Sequence, residues 1–78
     1  MRMATARFAN EHDQPIEFMV EPWATVIEIP PGKRFAIHYP APVGREDTSH
    51  AEYHVGMIRF WCEGANFEVE LDGEIIQT

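Results

Sequence analysis

Apolar and polar residues alternate with a period of two over most of this 78-residue chain, the pattern of strands with one covered face. Ile16, Phe18 and Val20 alternate with Glu17, Met19 and Glu21. Phe35, Ile37 and Tyr39 alternate with Arg34, Ala36 and His38, and Ile58, Phe60 and Cys62 with Arg59, Trp61 and Glu63. The cleanest run is Phe67-Glu68-Val69-Glu70-Leu71. Weaker strands are predicted over 4–9 (Ala4, Ala6 and Phe8 on one face), over 51–55 (Tyr53 and Val55 on one face) and over 74–77. Residues 23–29 differ, being apolar on both faces, with Trp23, Thr25, Ile27 and Ile29 opposed to Ala24 and Val26. That predicts a strand covered on both sides or crossing between sheets, with Trp23 in the core.

The breaks between these runs carry turn chemistry. Pro22 has no N–H to give a ladder, so it marks a bulge, corner or edge. Pro31-Gly32 holds the preferred residues for the centre of a type II turn. Gly56-Met57 predicts a two-residue hairpin turn, and Asp72-Gly73 is the strongest hairpin signal in the chain. Residues 40–50 (PAPVGREDTSH) form the longest irregular stretch and predict a surface loop. No 3.6-residue period extends beyond two turns. The expected fold is all-β: a small antiparallel β-sandwich or barrel of seven to eight short strands in a single domain, 1–78, with jelly-roll and immunoglobulin-like topologies both open. The segment Glu17–Pro40, holding three of the strands, organises it.

Size makes this core demanding. A chain this short buries only about 60% of its unfolded surface, so stability usually needs a disulfide, a metal or self-association. Cys62 is the single cysteine, which excludes an intrachain disulfide and leaves a cysteine-based zinc site without partners. A dense small core or a homo-oligomer remains. One free thiol and a start without a long apolar region favour the cytoplasm. Six Lys plus Arg against thirteen Asp plus Glu give a net charge of −7, which disfavours nucleic acid and anionic membranes as partners.

Glu21-Pro22-Trp23, then Pro30-Pro31-Gly32 and, after an aromatic-rich hairpin, Asp72-Gly73-Glu74 resembles the layout of a group of small bacterial proteins of unknown function. The resemblance spans most of the chain, implies a compact β-domain and brings no activity with it. The Pro31-Gly32 turn leading into a strand with His38 is also similar to the cupin layout. Tyr39 and Pro40 stand where a second histidine of an H-x-H pair is needed, and the later cupin histidine is absent. That likeness therefore implies a strand order rather than a metal site.

Few residues combine into chemistry. His50 and His54 have the spacing of a zinc pair on a helix, but on a strand they stand roughly 13 Å apart, so they are expected as surface histidines and no metal is expected. Cys62 shares a face with Phe60 and Ile58 and reads as a small buried hydrophobe rather than a nucleophile. Asp47, Ser49 and His50 are triad residue types without a G-x-S-x-G elbow. Glu68 and Glu70, about 7 Å apart on one strand face, read as a solvated face. Trp61, between Arg59 and Glu63, is either a binding anchor or covered by the 40–50 loop. Arg34, His38 and Arg59 are the scarce outward cations that could surround an acidic or aromatic ligand. The candidate binding residues are thus Trp61, Arg59, His38 and Arg34, with no catalytic residues and no cofactor. The expected function is a non-enzymatic interaction or accessory domain that self-associates or binds another protein. The alternative is a small-ligand domain, for sugar or metal, with a cupin-like strand layout.

Overall fold

The computed structural model describes residues 2–78. Eight strands account for the alternating runs: β1 (Met3–Ala9), β2 (Ile16–Glu21), β3 (Thr25–Ile29), β4 (Arg34–Pro40), β5 (His50–His54), β6 (Met57–Trp61), β7 (Glu68–Leu71) and β8 (Glu74–Gln77). They form two four-stranded sheets of order β1-β4-β7-β8 and β3-β2-β6-β5. The sandwich expected from the alternation is the fold. No helix of the described residues is long and apolar enough to cross a membrane.

Five strand pairs are antiparallel, while β2 and β6 run parallel, Phe18 opposite Ile58 and Val20 opposite Phe60. Period-two alternation carries no information about direction, so this pairing is invisible in the sequence. Inward residues of both sheets build one core of Phe18, Val20, Ile29, Phe35, Ile37, Tyr39, Ile58, Phe60, Cys62, Phe67 and Val69. The rings of Phe8, Phe18 and Phe35 meet with centroids 5.0–5.6 Å apart, within the range of favourable aromatic pairs.

Several expectations are corrected. Strand β3 begins at Thr25, because Pro22 to Ala24 form a turn in which Ala24 takes a left-handed φ of 58°. Trp23 stands in that turn, 41% exposed, against the Phe67 ring at 4.9 Å; it caps one end of the sandwich and lies outside the core. β3 is an edge strand with one covered face, and Val26 points outward. The β5–β6 turn is Val55-Gly56, with Gly56 at φ 74°, because His54 pairs with Met57. The other two turns are as read: Gly32 has φ 76°, and Asp72 and Gly73 have φ 52° and 88°, as a mirror-image hairpin turn requires.

Asn10, predicted as part of a polar connection, is the one buried polar side chain among the described residues. Its amide nitrogen donates to the carbonyls of Gln14, Ile29 and Pro30, and its oxygen accepts from the His12 N–H. Its backbone also exchanges hydrogen bonds with the Pro31-Gly32 turn, accepting from Gly32 N and donating to Lys33 O. One side chain thus joins the end of β1, the entry to β2 and the exit of β3.

Candidate functional site

Pairing in the first sheet sets the outward residues of β1, β4 and β7 in rows. Thr5 lies opposite His38 and then Glu68; Arg7 lies opposite Ala36 and then Glu70. Arg34 lies opposite Ala9, one pleat further along, where its carbonyl accepts from the Asp72 N–H. Arg7 and Arg34 are therefore diagonal neighbours, within reach of each other for long side chains. Together with Phe8, Phe35, Ala36, Glu70, Asp72 and Gly73 they line an open cleft of about 340 Å³. Ala36 lies among its lining residues and, although it faces outward between β1 and β7, is only 2% exposed.

The charges in this cleft are unevenly satisfied. Glu70 Oε1 is 2.9 Å from His38 Nε2, and Asp72 Oδ2 is 3.1 Å from Lys33 Nζ. Arg7 and Arg34 have no ion pair among the described residues, whereas Lys33, Arg45 and Arg59 each do. His38 is bonded on both sides, since Nδ1 lies 2.8 Å from Thr5 Oγ1. In the neutral tautomer that carries its proton on Nε2, the ring donates to Glu70 and Nδ1 accepts from the Thr5 hydroxyl. The result is a hydroxyl–imidazole–carboxylate line across three strands.

The other two predicted binding residues lie on the opposite face of the sandwich. Arg59 and Trp61 project outward from β6, where Glu21 lies opposite Trp61 and Glu52 opposite Arg59. The Arg59 guanidinium sits over the indole, 6.0 Å from the ring centre, a cation–π distance. Its buried Nε has no hydrogen-bond partner and lies 3.6 Å from Glu21 Oε2. Trp61, then His54 and Arg59, hold the Glu52 carboxyl below its usual range. Trp61 is 36% exposed. Sequence reasoning grouped Trp61, Arg59, His38 and Arg34 by their outward direction; the structure divides them into two pairs on two faces.

The remaining candidates do structural work. His50 and His54 lie at the two ends of β5, and His50 Nδ1 lies 3.0 Å from Thr48 O. No group of three or more His, Cys, Asp or Glu suited to a metal occurs among the described residues. Asp47 accepts from the Tyr39 hydroxyl at 2.7 Å and from the Ser49 N–H at 3.0 Å. Burial opposes its ionisation, but these donors, led by Ser49, hold its carboxyl below the usual range. Cys62 is buried, and burial pushes its thiol up, the state of an unreactive core thiol. Thr5 and Arg7 were missed in the sequence. Their signal, polar residues alternating with Ala4, Ala6 and Phe8, was present but acquires meaning only when β1 is set beside β4.

No family model, no curated protein and no solved structure matches this chain.

Proposed function

We propose that the protein is a small-ligand-binding β-sandwich whose site is the β1–β4–β7 face, and that the ligand is a small carboxylate. The supporting observation is the pair Arg7 and Arg34, diagonal neighbours on one cleft and without ion pairs among the described residues, in a chain of net charge −7. Arg7 and Arg34 are like charges lining one cleft, and each offers a planar fork that fits a carboxylate. A bound anion satisfies both at once. Glu70 and Asp72 do not fill that role because His38 and Lys33 already engage them. This reading specifies the ligand class more narrowly than the outward cations of the sequence did. Thermal unfolding in increasing glutarate tests it. At one hundred times the dissociation constant the ligand adds about 2.7 kcal/mol, and Arg34→Ala and Arg7→Ala abolish the shift. A wild-type melting curve that stays put at tens of millimolar glutarate overturns the reading.

A second reading, a protein-interaction domain, is supported by the other face. There Trp61 and Val26 are exposed beside the half-buried Met19 and Met57, an amphipathic surface of the type that aromatic anchors mark. Sedimentation of the wild type against Trp61→Ala measures it; a strict monomer at high concentration removes self-association.

A further inference from the structure

We infer that Thr5 is a nucleophile and that Thr5, His38 and Glu70 together catalyse acyl transfer from esters whose acyl part ends in a carboxylate. The inference rests on the reading of the cleft as a carboxylate site, and it adds a reaction to it.

Three observations converge. The first is the hydrogen-bonded line itself, with Thr5 Oγ1 at 2.8 Å from His38 Nδ1 and His38 Nε2 at 2.9 Å from Glu70 Oε1. It has the geometry in which an imidazole takes a hydroxyl proton and a carboxylate holds the ring. The second is the backbone around Thr5. Arg2 O accepts from Ala41 N and Asn10 N donates to Lys33 O, so in the β1–β4 register the even-numbered residues of β1 carry the ladder bonds. Thr5 is odd-numbered and β1 is an edge strand. Its N–H therefore points to the open side, free to donate to an oxyanion forming beside its own hydroxyl. The third is the placement of Arg7, one pleat or about 7 Å along the same face, with Arg34 beyond it. A carboxylate seated there aims the other end of a short acyl chain at Thr5.

The step balances without any co-reactant. Thr5 Oγ1 bonds to the acyl carbon as its proton passes to His38 Nδ1, and Glu70 holds the resulting imidazolium through Nε2–H. The carbonyl oxygen becomes the oxyanion, facing the Thr5 N–H. When it collapses, the bond to the alcohol oxygen breaks and the alcohol leaves with the proton from Nδ1. Water then attacks the acyl-threonine, gives its proton to His38, and the carboxylic acid departs as Thr5 regains its hydrogen.

The test uses the 4-nitrophenyl half-ester of glutaric acid with the whole protein. Expected are release of nitrophenolate and a mass increase of one glutaryl group, mapped to Thr5. Thr5→Val, which keeps the shape without the hydroxyl, gives no adduct. Thr5→Ser retains it, His38→Gln slows acylation by about 10²–10⁴-fold, and Arg34→Ala raises the concentration needed. The uncharged 4-nitrophenyl butyrate reacts more slowly than the half-ester. No adduct, an adduct on Lys33 or the α-amino group alone, or an unchanged rate in Thr5→Val overturns the inference. Thermal shifts with glutarate separate the two levels. If glutarate binds and Thr5 is not acylated, only the catalytic inference fails; if glutarate does not bind, the carboxylate site fails with it.

Discussion

Asn10 shows how much of a small fold can hang on one amide. Its side chain makes four hydrogen bonds to backbone groups of three segments, and the bond to the Ile29 carbonyl lies in the buried interior. Removing it leaves several backbone groups unpaired, each costing about 1–3 kcal/mol, so Asn10→Ala is expected to lose at least about 3 kcal/mol in urea unfolding. Asn10→Asp retains the acceptor only and loses most of the same amount. Ala24 lies at the other extreme, since its Cβ sits in a left-handed backbone at φ 58°, which costs an L-residue roughly 1–2 kcal/mol. Ala24→Gly relieves this cost, glycine's greater loss of chain entropy on folding offsets part of the relief, and a net gain of about 0.5–1 kcal/mol is the expected melting result. An unchanged or lower stability shows that the turn is relaxed as it stands.

Among the elements, the 41–49 connection is more ordered than its composition implies. One proline, a glycine and a polar tail read as a bare surface loop, yet Tyr39 and Ser49 donate to Asp47, the Glu63 N–H donates to Ser49 Oγ, and Arg45 Nη1 lies 2.6 Å from Glu63 Oε1. Because Asp47 titrates lower when folded than when unfolded, the unfolded chain takes up its proton first. The stabilisation is full above the ordinary carboxylate range near pH 4, and it disappears as pH falls through the lowered folded value. Asp47→Asn is therefore expected to cost about 1–2 kcal/mol at pH 7 and progressively less in acid. A mutational loss of stability that stays constant down to pH 2 contradicts this account. The same comparison shows what alternation can and cannot reveal. Strand existence, inward faces and the Asp72-Gly73 turn were legible because they depend on neighbours in sequence. The loop bonds, the burial of Asn10 and the Thr5–His38–Glu70 line depend on which strands lie side by side, and no local pattern encodes that. Trp23 misled for a related reason: an apolar residue next to a strand looks like part of it, and only the Ala24 backbone shows that the ladder has not yet begun.

Across the whole molecule, the two faces divide the chemistry. One carries Arg7 and Arg34, without ion pairs among the described residues, beside the threonine–histidine–glutamate line; the other carries the exposed tryptophan and its arginine between two glutamates. The chain reaches this arrangement by alternating between sheets, with β1, β4, β7 and β8 in one and β2, β3, β5 and β6 in the other. The parallel β2–β6 pair lies at the centre of its sheet, joining Phe18 to Ile58 across an interval that includes two sheet crossings. Hence neither sheet can be completed from a contiguous piece of chain, and loop-closure entropy must be met before the central contacts repay it. Refolding is expected to be a single slow phase, on the order of milliseconds to seconds, rather than the microseconds of a helical bundle of this size. A synthetic β2–β3 peptide should show no sheet signal by circular dichroism, since an isolated two-stranded hairpin is marginal. A stopped-flow trace completed within microseconds, or a structured peptide, would show that assembly starts locally. Otherwise a ribosome must deliver β6 before β2 has its inner neighbour, and until then β2, the longest strand of the second sheet, waits with an unpaired edge.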